Sequence, residues 1–179
     1  NGNYYNGTIE FAPNLIWGHD GVVPLADMFS KGLGGIPVAL TNDANAAAIG
    51  EMTYGVARGL KNFIVITLGT GVGSGIVVNG QVIYGSDGFA GELGHVIVKR
   101  EGGRSCGCGR HGCLETYCSA TGVARSAREF LEKTTTPSVL RDLKPEDITS
   151  LDVSLAAEKG DQLALDVYAF TGKMLGEAC

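Results

Sequence analysis

The stretch Phe63-Ile64-Val65-Ile66-Thr67-Leu68-Gly69-Thr70-Gly71-Val72-Gly73-Ser74-Gly75-Ile76-Val77-Val78 decides the fold class. Its first six residues are almost wholly apolar and rich in β-branched side chains, the pattern of a central buried strand. The glycine run Gly69 to Gly75 turns the chain out of that strand. Ile76-Val77-Val78 and Gln81-Val82-Ile83-Tyr84 then flank Asn79-Gly80, a strong hairpin signal because both turn residues tolerate positive φ. Four glycines in seven positions let backbone N–H groups point into one concavity that suits phosphate oxygens, with hydroxyls from Thr67 and Thr70 beside them. No Gly-Lys-Ser/Thr follows, so this is not a P-loop. A strand rather than a helix comes next, so it is not a dinucleotide fingerprint.

Upstream, Ile36-Pro37-Val38-Ala39-Leu40 reads as a buried strand and Thr41-Asn42-Asp43 as a polar break. Ala44 to Met52 reads as a helix that Gly55 can end. Position alone makes Asp43 the helix N-cap. A functional role competes, because Asn42 precedes it at a strand end and a helix N-terminus favours an ionised carboxylate. Residues 1–30 are loop-rich, with Trp17, Val22, Val23 and Leu25 expected to pack on a neighbouring element and His19 read as an ordinary histidine. Downstream, Val96-Ile97-Val98 is a further short strand. Thr121 is placed to cap a helix through Val123, Ala127, Phe130 and Leu131. After a polar segment from Thr134 to Asp147 come two more helices, the last with Leu163, Val167, Phe170 and Met174 on one face. Strands followed by helices around a glycine-rich turn make an α/β domain.

The chain has 179 residues, 44% hydrophobic and 18% charged, enough apolar material for a sizeable core. Fourteen Lys+Arg against nineteen Asp+Glu leave a net charge of −5, which weighs against nucleic acid as a partner of this segment. No apolar run approaches the roughly 18–20 residues of a membrane span. The start at Asn1 shows neither an initiator Met nor a signal pattern, so the chain is expected to be the interior of a longer polypeptide. The 28 glycines are clustered rather than periodic, which excludes collagen.

Three of the five cysteines crowd into Cys106-Gly107-Cys108-Gly109-Arg110-His111-Gly112-Cys113. Soft ligands at this density, with no secretory signal, read as a Cys3His zinc site in a reducing compartment, the cytoplasm. His111 and His95 both compete for the fourth position. Glu92, His95 and Glu115 flank the loop, and a metal that folds it would draw together groups able to bind the vicinal hydroxyls of a sugar.

Asn42-Asp43-Ala44-Asn45-Ala46-Ala47, Leu68-Gly69-Thr70-Gly71-Val72-Gly73, Gly91-Glu92-Leu93-Gly94-His95 and Cys106 to Glu115 occur in that order, preceded by Ala12-Pro13-Asn14-Leu15-Ile16-Trp17. Together they resemble the ROK family of repressors and sugar kinases, most of all its glucokinase-like members. The resemblance implies an actin-like ATPase fold of the ribonuclease H-like class, with hexose and ATP bound between two α/β lobes. It makes this chain a central fragment, with residues 1–42 the end of the small lobe and its active-site strand. Residues 43–179 are then most of the large lobe, including a zinc loop over 95–115. By the same resemblance Asp43 is the catalytic base, and Asn42, Asp43, Glu92, His95 and Glu115 bind the sugar. Gly69, Thr70, Gly71 and Gly73 bind nucleotide phosphate, and His95, Cys106, Cys108 and Cys113 hold a structural Zn²⁺, which selects His95 over His111. Mg²⁺ would arrive with ATP, and the full-length protein would be a homodimer. The family's first phosphate loop and its later adenosine glycines are absent from this chain, so the fragment alone is expected to be inactive. The implied activity is phosphorylation of the glucose 6-hydroxyl. The alternatives are a sugar-sensing repressor, or a kinase for N-acetylmannosamine, N-acetylglucosamine or fructose.

Overall fold

The computed structural model describes residues 2–10, 17 and 21–179. The segment Ala12–Ile16 and His19 lie outside the described residues, and Trp17 is half exposed. The chain divides into two compact units, Asn1–Val65 with Ser74–Gly91, and Ile66–Gly73 with Glu92–Cys179.

In the first unit, β1 (Gly2–Asn3) and β2 (Thr8–Ile9) pair antiparallel, and Ile9 bridges Val23 through reciprocal bonds of 2.9 and 2.8 Å. Val23 therefore packs as expected, whereas Val22 stays exposed. Two helices follow, α1 (Leu25–Gly32) and α2 (Asp43–Thr53). The expected strand over 36–40 is not formed. Those residues make no ladder and are mostly exposed, and Pro37 has no N–H to give to one.

The central hairpin is β3 (Phe63–Leu68) and β4 (Val72–Val78), followed by β5 (Gln81–Val82), in the order β3-β4-β5. Asn79 and Gly80 take φ of 53° and 76°, the left-handed values that a two-residue hairpin turn requires. Because β4 already begins at Val72, Gly73 and Gly75 are strand residues and the glycine turn proper is only 69–71. In β4, Gly75 lies so close to α2 that a Cβ there would stand 2.6 Å from the Ala48 methyl.

The second unit is helical outside the hairpin end: α3 (Glu115–Cys118), α4 (Ala120–Lys133), α5 (Ser150–Glu158) and α6 (Gln162–Ala178). The cap of α4 is Ser119, whose hydroxyl accepts from Gly122 N at 3.1 Å, rather than Thr121 two residues later. Val96–Val98 supplies a single bridge, Ile97 to Cys113, in place of a strand, because the neighbouring backbone is taken up by the loop described below. The α6 stripe is core as its spacing predicts. Leu163, Ala164 and Val167 pack with Val123 and Ala127 of α4 and Val153 and Ala156 of α5. Among the described residues no helix is long and apolar enough to cross a membrane.

A charged residue completes this core. The Arg104 guanidinium is buried and donates to Thr116 O (2.7 Å), Gly122 O (3.2 Å), Ser126 Oγ (2.9 Å) and both oxygens of Glu129 (3.1 and 3.0 Å), while its plane covers the Tyr117 ring at 4.5 Å. Burial works to raise the Glu129 pKa, but the hydrogen bonds and charge of Arg104, with help from Arg125 and Lys133, outweigh it and hold the carboxyl below its ordinary 4.5. Arg104→Ala should cost about 3 kcal/mol in urea unfolding, the low end for a broken buried pair, since Glu129 keeps 32% of its side chain in water. A depressed carboxyl stabilises the fold fully above 4.5, and that stability is lost as pH falls through the lowered native value. The acid limb of the unfolding midpoint should therefore flatten in Arg104→Ala.

Candidate active site

Two of the expected site residues stand at the head of α2. Asn42 has extended backbone (φ −81°, ψ 167°), and its Oδ1 accepts from Asn45 N at 2.7 Å, so Asn42 is the cap. Asp43 is the first helical residue, exposed, with Oδ1 accepting from Ala44 N at 2.9 Å. Capping needs non-helical dihedrals and a side-chain oxygen that reaches two or three residues on, and Asn42 meets both conditions. Asp43 is thereby released from the capping task its position suggests. Asn45, which sequence reasoning treated as one more helical position, is fully buried with neither atom of its side-chain amide bonded.

The remaining expected residues belong to the second unit. Glu92, exposed, precedes a single 3-10 turn, Leu93–His95. His95 Nδ1 lies 3.7 Å from Cys106 Sγ, and Cys108 Sγ lies 3.7 Å from Cys113 Sγ; the donor atoms of all four residues fall within 4.8 Å of one another. These four could hold one metal ion. His111 pairs with Ser105 through a backbone bridge and is outside the cluster. The loop folds on its own backbone, with Cys106 N donating to Arg110 O (2.9 Å), Gly109 N to Cys106 O (3.0 Å) and Gly112 N to Arg104 O (2.8 Å). Gly112 has φ of 78° and sits against the Lys99 carbonyl, so no side chain fits there. The Arg110 guanidinium beside Cys108 brings that thiol down to about 6, whereas burial pushes Cys113 up to about 12. A bound cation is what would hold the buried Cys113 as thiolate.

The glycine turn is clamped from one side. Ala120 N donates to Gly69 O at 2.8 Å, Gly69 N to Gly71 O at 3.0 Å, and Val72 N to Glu115 Oε2 at 3.1 Å. Gly69 and Thr70 are exposed, and a Cβ on Gly69 would meet nothing within 4 Å, so a ligand can approach the backbone there. Arg104 is the residue that sequence reasoning missed: a lone arginine among glycines carries no local signal of burial, and only the helices it meets reveal it.

Residues 3–179 match the ROK family, and the chain belongs to that family. It is 44% identical over 173 residues to the glucokinase of Halalkalibacterium halodurans, a match that covers 96% of this chain and 51% of the relative. Among solved structures, a ROK family glucokinase from Streptomyces griseus in complex with glucose and AMPPNP superposes with a TM-score of 0.78 at 37% identity. That match covers 97% of this chain and 55% of the other. A ROK family transcriptional regulator, homolog of the E. coli MLC protein, gives a TM-score of 0.84 at 32% identity, covering 99% and 43%. The fold is accordingly that of the ROK proteins, of the actin-like ATPase type, and the chain spans about half the length of the curated relatives it matches.

Co²⁺ added to the protein should give thiolate-to-metal absorption that saturates near one ion per chain. Cys108→Ser and Cys113→Ser should abolish that absorption and His111→Ala should leave it intact; loss in His111→Ala would move the fourth ligand from His95.

Proposed function

We propose that this member of the ROK family is the central part of an ATP-dependent hexose kinase, most simply a glucokinase that phosphorylates the glucose 6-hydroxyl. The observation that carries this reading is the carboxylate of Asp43, exposed at a helix N-terminus whose cap is Asn42, in a chain that also has an exposed glycine turn. A sugar pocket alone needs neither. Support comes from the glucokinase relatives and from the S. griseus structure, whose ligands are glucose and AMPPNP. The regulator's likeness to this chain keeps the sugar-sensing alternative in view, and turnover decides between them.

In this mechanism Asn42, Glu92, His95 and Glu115 hold the sugar hydroxyls, and Asp43 orients the attacking oxygen. Phosphoryl transfer passes through a loose transition state in which the hydroxyl proton leaves late, so its acceptor needs position more than basicity. Exposed Thr70 is suited to phosphate oxygens, and Gly69, with no side chain in the way, lets them approach; Gly71 and Gly73 complete the segment. Mg²⁺ bound to ATP would neutralise charge on the phosphates. The small-lobe part over residues 1–42, the cytoplasmic location and a homodimeric parent belong to the same proposal.

The four-donor cluster is proposed as a structural zinc site. A tetrahedral Zn²⁺ with Zn–S of about 2.3 Å and Zn–N of about 2.0–2.1 Å has ligand–ligand edges of roughly 3.8 and 3.6 Å. The two 3.7 Å separations fit that geometry. With four protein ligands no position is left for an activated water, so the ion would brace His95 and the backbone leading to Glu115.

In the full-length protein Asp43→Asn should lower kcat by on the order of 10²–10⁴-fold, the usual worth of a general base, while glucose affinity by calorimetry is retained. Near-normal turnover would remove Asp43 from the role of base.

A further inference from the structure

Glu115 touches the phosphate turn as well as the region assigned to sugar. Its Oε2 accepts from Val72 N at 3.1 Å, and a Cβ built on Gly71 would stand 2.6 Å from that same oxygen. Gly69, two residues away in the same turn, has open space at its Cβ position. The carboxylate is fixed from behind. Fully buried Leu114 donates its N–H to Val96 O at 2.9 Å, Cys113 supplies a sulfur to the four-donor cluster, and the Thr116 hydroxyl donates to Cys113 O at 2.7 Å. An ionised carboxylate accepts through both oxygens, at about four lone-pair sites, so the bond to Val72 leaves Glu115 able to take a hydroxyl on Oε1.

We infer that Glu115 is a positioning residue for the phosphate turn as well as a sugar ligand, so that hexose occupancy and nucleotide affinity are coupled through this one carboxylate. The inference rests on the kinase reading above. A hydroxyl donated to Oε1 fixes the carboxylate plane, and a fixed carboxylate holds the Val72 amide and the turn before it in one arrangement. The turn held in that arrangement presents Gly69 and Thr70 to phosphate without further ordering. By linkage the effect is reciprocal: nucleotide must raise sugar affinity by the same factor.

Calorimetric titrations of glucose and of Mg²⁺·AMPPNP, each with and without the other, test this in the full-length protein. In the wild type, glucose should tighten AMPPNP by about fivefold or more, the lower range of measured site-to-site couplings. Gly71→Ala should weaken glucose binding even with no nucleotide present and reduce the coupling, because its methyl displaces the Glu115 carboxylate. Glu115→Gln, which keeps the side chain's size, should weaken AMPPNP binding with no sugar present, an effect that a residue serving sugar alone would not produce. One bound metal ion per chain in each variant would show that the loop is still folded. Wild-type glucose affinity and undiminished coupling in Gly71→Ala would overturn the inference and leave the kinase reading standing. Failure of the wild type to bind any hexose would overturn both.

Discussion

One buried guanidinium fixes the part of the molecule on which the candidate site hangs. Arg104 has five N–H donors, and each finds an acceptor: two carbonyls, one hydroxyl and two carboxylate oxygens. A charge removed from water costs several kcal/mol unless it is met in this way. Its acceptors lie at Thr116 in α3 and at Gly122, Ser126 and Glu129 in α4, so the guanidinium closes only when the cysteine loop lies against both helices. Its own backbone takes part too, since Arg104 N donates to the Tyr117 hydroxyl at 3.0 Å and Arg104 O accepts from Gly112 N. The loop is thus pinned at its middle by a charge, and a metal ion held by the four donors would pin it a second time at its tip.

Such double pinning would explain how short polar segments without regular structure can hold functional groups in place. Between His95 and Glu115 the backbone makes two isolated bridges and no strand. Isolated bridges of this kind are weak, and burial of apolar side chains contributes little, because most loop residues are exposed. What remains is the guanidinium, the metal that the four donors could hold, and Leu114, whose burial beside Tyr117, Cys118 and Met174 anchors the exit from the loop. Glu115 follows Leu114 directly, so its position is inherited from a core residue even though its carboxylate meets the glycine turn.

Much of this was legible in the sequence, and the parts that were not share a physical cause. The Asn79-Gly80 turn, the α6 stripe and the cysteine spacing are short-range signals: each is decided by residues within a few positions, and each is formed. The strand expected over 36–40 failed because a strand is a statement about neighbours, and apolar composition does not supply them. The helix caps went to Asn42 and Ser119 rather than to Asp43 and Thr121, because residues one or two positions apart compete for the cap and only backbone dihedrals choose between them. Composition makes a turn of all seven residues 69–75, while the structure keeps only 69–71 as turn. Gly75 lets β4 pass close to α2, which composition alone cannot separate from loop flexibility. Arg104 was invisible for the opposite reason: every one of its side-chain partners is twelve or more residues away.

The ROK fold carries both a glucokinase and a transcriptional regulator among this chain's structural relatives, and the arrangement around Glu115 bears on why one scaffold suits both. A sensor needs a sugar-dependent change in some other part of the protein, and a kinase needs its nucleotide site to be in order when sugar is present. A carboxylate that accepts a backbone amide of the adjacent turn, as Glu115 does, would answer either need if it also took a sugar hydroxyl, since it would convert occupancy of one ligand into the shape of a neighbouring segment. Chemistry is then an addition to the sensing device rather than a separate invention. It requires only a base that helix capping does not occupy, and here Asn42 takes the cap while Asp43 stands beside it as an exposed carboxylate.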